Sequence, residues 1–336
     1  MRSLRKLAAI VRKKSVSVGV QNSADLSKNS SGLSVQQVDI ENLWSEGPGS
    51  LPDCDILLLS SKEFVVRPEL VNEIRASSED DSDKRITCAY LRDNHHMYQR
   101  NLGIASAVDF VAVGHAYKDH YLRAENFNIF FPGAMGVNKF DQNLISEIWE
   151  QDKMLPRNDR LYGSYNLHTN FKDRTDFIEL CSSLDNSDVI QWWPGTEKAN
   201  YNDLSEVERF KQWMSYKVSL VVNTDFCVPI RVYVALLAGQ IPIVPTSLVG
   251  MSEIFTHEML RELPILTYGE NKASAVQQAW ADGIKRFDQG GAKAAEMRHR
   301  YAFENLFYEH TWERIFDCLL EFEGAEGKVT PQKGSS

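Results

Sequence analysis

The chain alternates short apolar runs with helical periodicity along most of its length, and it does so in two successive blocks. In the first, Val16–Val20, 33–40, 55–59, 85–91, 109–113 and 128–131 read as strands, with helical patterns from Pro68, over Tyr98–Ala107 and over 116–124. The run at 55–59 is almost wholly apolar, as a parallel strand must be when helices cover both its faces. After a break at Pro132-Gly133, the second block reads as strand 160–164, helix 173–184, strand 189–193, helix 204–214, strand 218–223, helix 230–238 and strand 241–245. Repeated strand–helix–strand order implies one parallel sheet per block. At 336 residues the chain also exceeds the roughly 250 that one core usually supports. The expected fold class is α/β, with two Rossmann-like domains facing each other across a cleft and a C-terminal helix crossing back to the first. The boundaries drawn are a basic segment 1–14, a first domain 15–140, a linker 141–159, a second domain 160–300, a C-terminal helix 301–322 and a disordered tail 323–336.

Apolar residues make up 43% of the chain and charged residues 25%, the proportions of an ordinary folded soluble protein. A formal charge of -9, from 37 basic and 46 acidic residues, argues against nucleic acid as a partner. Residues 1–14 run the other way, with Arg2, Arg5, Lys6, Arg12, Lys13 and Lys14 and no acid. The apolar stretch at 7–11 is shorter than a signal-peptide core (~7–15 residues) or a membrane span (~20). The expected location is cytoplasmic, and peripheral contact of 1–14 with the inner membrane face stays open beside a solvated terminus. Five cysteines without a C-x-x-C pair fit reduced, buried thiols.

The segment 216–244 is the most informative. A buried strand ends at Asn223, a polar loop follows, Pro229 starts a helix with Arg231 in its first turn, and Gly239 closes that helix before the next strand. In open α/β sheets ligands gather beyond the carboxyl ends of strands, where helix N-termini present free N–H groups and a positive dipole end. Arg231 adds a planar fork of donors suited to a diphosphate. A salt bridge from Arg231 to Asp225, or a loop-capping role, is the competing account. At 161–177, a strand, Gly163-Ser164 and then Lys172 and Arg174 near a helix start offer a second cationic cluster; surface pairing with Asp173 and Asp176 competes there.

Pro229, Arg231, Tyr233, Ala235, Leu236 and Gly239, followed by Pro242-Ile243-Val244, resemble the donor-binding region of GT-B glycosyltransferases of the CgeB-like and family-1 type. The 161–177 segment resembles the first strand and loop of their C-terminal domain. The resemblance implies transfer of a sugar from a nucleotide-sugar to a hydroxyl of a glycan, lipid-linked or protein acceptor, without a cofactor or metal ion. It assigns Gly163, Tyr165, Asn166, Lys172, Arg174, Asn223 and Arg231 to the donor. Many such enzymes have a Glu immediately before the Ala, where this chain has Val234, so the ribose contact is unassigned. A binding protein of the same fold without turnover is the alternative.

Arg92-Asp93-Asn94-His95-His96 follows the strand at 85–91 and so falls at the ligand-facing edge of the first sheet. Asp93, His95 or His96 could take the proton from the acceptor hydroxyl, imidazole being suited to that near neutral pH. Structural hydrogen bonding is the plain competitor, and a metal role is weaker because adjacent histidines lack the usual helical spacing of a ligand pair.

Overall fold

The computed structural model describes residues 16–20, 33–51, 53–61, 69–70, 72–74, 76, 85–91, 98–113, 127–131, 136–137, 140–167, 171–192, 204–223, 228–248, 251–255 and 257–320. The chain divides into two compact units, one formed by Met1–Ala134 with Glu309–Ser336 and the other by Met135–Tyr308.

The first unit holds a six-stranded sheet built from β1 (Val16–Val20), β2 (Leu33–Gln37), β3 (Ile56–Ser60), β4 (Ile86–Leu91), β5 (Phe110–Val113) and β6 (Ile129–Phe130). Their order is β2-β1-β3-β4-β5-β6, and every pairing is parallel. β3, β4 and β5 are buried along their whole lengths, in line with their near-continuous apolar sequences. Leu43, Leu57, Leu59, Leu70, Ile74, Leu91 and Ile104 form part of the core. The apolar run at 33–40 stops being a strand at Gln37 and becomes helix α1 (Ile40–Glu46), because the Asp39 carboxylate accepts the Asn42 N–H at 3.0 Å and caps the helix. Helix α2 (Tyr98–Ala107) lies where its periodicity placed it.

The second unit has β7 (Asn158–Asn166), β8 (Ser187–Trp192), β9 (Tyr216–Leu220), β10 (Ile241–Pro245) and β11 (Leu266–Tyr268), in the order β11-β10-β9-β7-β8 and again all parallel. Its helices are α3 (Gln142–Asp152), α4 (Lys172–Ser182), α5 (Glu206–Met214), α6 (Ile230–Leu237), α7 (Met251–Ile254), α8 (His257–Glu262) and the long α9 (Ala273–Asn305), which is interrupted at Gly291. The expected linker at 141–159 thus holds α3 and the opening of β7, inside this unit. α5 starts at a reciprocal cap in which Ser205 and Glu208 bond each other's backbone N–H. Gly283 allows α9 to lie close on the sheet, since a Cβ there would stand 2.7 Å from Val218 Cγ1. A final helix, α10 (Tyr308–Leu320), follows, and from Glu309 onward the chain counts with the first unit. Ile315, Phe316 and Leu319 of α10 are buried.

Each sheet places one strand on the far side of its first: β2 beside β1 in the first, β8 beside β7 in the second. The order in which strands are added therefore switches sides between β1 and β3, and between β7 and β9. These are the switch points at which doubly wound sheets open a crevice beyond the strand ends. Cys54, Cys88 and Cys181 are buried, and burial raises the pKa of Cys181 to about 12. Among the described residues no helix is long and apolar enough to cross a membrane.

Candidate active site

The candidate site is built on the carboxyl ends of β7 and β9. β7 runs out through Ser164, Tyr165 and Asn166, and Tyr165 is fully buried. Its hydroxyl donates to the Leu220 carbonyl and accepts from the Val222 N–H at 3.0 Å. The neighbouring Tyr268 hydroxyl donates to the Val221 carbonyl at 3.1 Å. Two tyrosines thus satisfy the backbone where β9 leaves the ladder, and the exit of the strand is fixed. Burial raises the Tyr165 hydroxyl pKa, against the opposing pull of Arg231, so the phenol stays protonated and able to donate.

Two guanidinium groups converge on that ring. Arg231 stands in the first turn of α6, whose cap residue Pro229 offers no side-chain bond to the helix N-terminus. Its Nε donates to the Ser164 carbonyl at 3.0 Å, and its guanidinium carbon lies 4.7 Å from the Tyr165 ring centroid. Arg174, in the first turn of α4, donates from Nη1 to the Asn166 carbonyl at 2.9 Å, with its guanidinium carbon 5.5 Å from the same ring. The carbonyls on either side of Tyr165 therefore each hold one arginine. Both arginines are half-buried. Among the described residues no carboxylate pairs with Arg231, and its only hydrogen bond there is the one from Nε. Asp225, the competing partner for this guanidinium, lies outside the described residues.

The other expected donor residues fall around this pair. Gly163 has a packing reason: a Cβ would lie 2.8 Å from Tyr165 Cε2 and 3.5 Å from Val189 Cγ2. Asn166 is half-buried, and its Oδ1 has no partner among the described residues, as is true of the buried Ser164 Oγ. Asn223 lies three residues past the end of β9, half-exposed. Lys172 is not gathered into the cluster. It is exposed and pairs with Asp176 one turn along α4 at 2.5 Å, the surface pairing that competed in the sequence reading. Val234 is buried in α6, so no polar group reaches out from the position where relatives of the motif carry Glu.

Asp93, His95, His96, the helix at 116–124, the basic segment 1–14 and the tail 323–336 lie outside the described residues. Among the described residues no three His, Cys, Asp or Glu side chains are grouped to hold a metal ion. The sequence does contain Asp-x-Asp triplets, at Asp53-Cys54-Asp55 and Asp81-Ser82-Asp83. The first precedes β3 and so falls at the amino end of that strand, the opposite edge from a doubly wound sheet's ligand side; the second lies outside the described residues.

A further cluster, which the sequence reading did not find, closes the other end of α6. His299 Nδ1 donates to the Leu237 carbonyl at 2.5 Å, Arg157 Nη1 to Ala238 at 2.7 Å and Arg298 Nε to Gly239 at 3.0 Å. Three donors thus meet three successive carbonyls of a helix C-terminus, where the dipole is negative. Burial lowers the pKa of Arg298 to about 9 and of Arg157 to about 10, values that leave both cationic at neutral pH.

No protein-family model matches the sequence, and no curated protein is significantly similar to it. Among solved structures the chain is similar to a glycosyltransferase from Rickettsia africae ESF-5, with 10% identity, 94% of this chain and 100% of that one covered and a TM-score of 0.49. It is also similar to sucrose-phosphate synthase from Thermosynechococcus elongatus, with 11% identity, 95% and 92% covered and a TM-score of 0.48. For a chain of the GtfA/B complex the values are 12% identity, 80% of this chain, 57% of that one and a TM-score of 0.42.

Proposed function

We propose that this protein is a glycosyltransferase whose second unit grips the diphosphate of a nucleotide-sugar and whose product is a glycosylated hydroxyl on a glycan, lipid-linked or protein acceptor. The observation that carries the reading is Arg231. It combines a helix N-terminus to which Pro229 gives no side-chain cap, a guanidinium whose Nη groups have no partner among the described residues, and a second arginine, Arg174, at the switch point of a parallel sheet. As the bond from the anomeric carbon to the diphosphate breaks, negative charge grows on the leaving phosphate. Prearranged guanidinium and N–H donors favour that charge over the ground state. The proposal needs no metal ion for this step, because the two arginines supply the positive charge.

Asp93 or His95, with His96 beside them, is assigned the acceptor's proton as its oxygen attacks the sugar. The assignment rests on their place directly after β4 in the sequence. Five cysteines without a C-x-x-C pair suit a reducing cytoplasm, and the basic stretch 1–14 suits contact with anionic headgroups near a lipid-linked acceptor.

A panel of UDP-, GDP-, ADP-, CMP- and dTDP-sugars tests the reading. One nucleoside-diphosphate class should raise the melting temperature by mass action and release its free nucleoside diphosphate when acceptor or water is supplied, while CMP-sugars, which carry one phosphate and would release CMP, should stabilise less. No stabilisation by any member contradicts it. Stabilisation without turnover selects the second reading, a binding protein of the same fold, which the buried Val234 favours because no hydroxyl-binding carboxylate projects from α6.

A further inference from the structure

The resemblance puts Tyr165 against the donor, yet its side chain is wholly buried and its hydroxyl is taken up by Leu220 and Val222. We infer that Tyr165 is a positioning residue: its ring is the platform on which Arg231 and Arg174 are held for an anionic diphosphate. The inference rests on the proposed function and goes further, since it names what sets the two cations in place.

Three observations converge. Both guanidinium carbons lie within cation–π range of one ring, at 4.7 and 5.5 Å. Each arginine is also tethered by one hydrogen bond to a carbonyl adjoining Tyr165, Ser164 on one side and Asn166 on the other. The ring itself is fixed, because its hydroxyl bridges the β9 exit and Gly163 leaves room for its edge. A cation above a π-face has its charge partly balanced while its N–H groups stay directed outward in the plane. That balance explains how Arg231 is half-buried without a carboxylate among the described residues. A carboxylate in the same place would occupy the fork and repel a phosphate; an aromatic face holds the cation and leaves the fork available. The hydroxyl and the ring thus have separate duties, the first in joining β7 to β9 and the second in supporting the arginines.

That separation is testable by titrating ADP, UDP and GDP into the full-length protein. Tyr165→Phe keeps the ring and should retain nucleoside-diphosphate affinity within about two-fold while lowering the melting temperature. Tyr165→Leu, which removes the π-face, should weaken affinity about tenfold. If the Leu variant does not fold, phenylalanines carrying increasing numbers of fluorines at position 165 keep the shape and drain the negative face, and affinity should fall stepwise along that series. Arg231→Ala separates the two levels of the account. A flat series with Arg231→Ala weakened overturns the role of Tyr165 and leaves the phosphate reading intact. Wild-type affinity in Arg231→Ala overturns the phosphate reading and this inference with it.

Discussion

His299 lies flat against Trp149, ring centroids 3.8 Å apart and planes parallel. The imidazole gives its Nδ1–H to the Leu237 carbonyl, so a ring from α9 is held between a tryptophan of α3 and the C-terminal turn of α6. With Arg157 and Arg298 on the next two carbonyls, the helix that presents Arg231 at one end is anchored at the other. Rigid support of this kind keeps a charged first turn in place for a ligand.

Burial holds His299 neutral, its pKa lowered from 6.5 to about 4. A base whose folded pKa is depressed binds its proton more readily in the unfolded chain, so its contribution to stability is complete above pH 6.5 and is lost as pH falls toward 4. The loss should be on the order of 2–3 kcal/mol. Urea midpoints of the wild type and His299→Gln from pH 7 to 4 check it: the wild type should lose more stability across that window, and parallel slopes would contradict the burial argument.

Gly239→Ala should be costly. Gly239 has φ of +71°, and an added Cβ would stand 2.9 Å from Trp149 Cη2 and 3.0 Å from the Ala295 carbonyl. Left-handed strain and the displaced ring together should destabilise by roughly 2–4 kcal/mol. Chemical denaturation reads this directly, and a change below about 0.5 kcal/mol would contradict it.

The α/β class was legible because parallel strands buried on both faces stand out as apolar runs, as Ile241–Pro245 does, and because helical periodicity marks segments such as Tyr98–Ala107 between them. Arg231 was legible because Pro229 before it and Gly239 after it mark the ends of one helix. Contacts that close across the sheet were not. Nothing local to Arg157, Arg298 or His299 signals that they meet the end of α6, and Tyr165 looked like a ligand contact because its burial depends on the course of β9. Helix α1 was missed because the apolar residues at 33–40 masked the cap at Asp39.

Gly163→Ala tests the ring from its other side. The new methyl group would meet Tyr165 Cε2 at 2.8 Å, and overpacking of this kind costs about 1–3 kcal/mol. Because the displaced ring carries Arg231 and Arg174, nucleoside-diphosphate affinity should fall several-fold as well. A stability loss with unchanged affinity, measured by denaturation and calorimetric titration, would show that Gly163 matters for packing alone.

Lys172→Ala should behave differently from Arg174→Ala. Lys172 is exposed and engaged with Asp176, whereas Arg174 is tied to Asn166 and lies over Tyr165. Affinity in the lysine variant should stay within about two-fold and fall about tenfold in the arginine variant, as loss of one charge-assisted contact implies. Equal losses in the two would place Lys172 back among the phosphate contacts.

If Arg231 binds the diphosphate, calorimetric titration of the best-bound nucleoside diphosphate into wild type and Arg231→Ala will show it. The predicted result is a loss of about 1.5–3 kcal/mol, or roughly ten- to a hundredfold in affinity, with the fold intact by circular dichroism. Equal affinity in a folded Arg231→Ala protein would contradict the account.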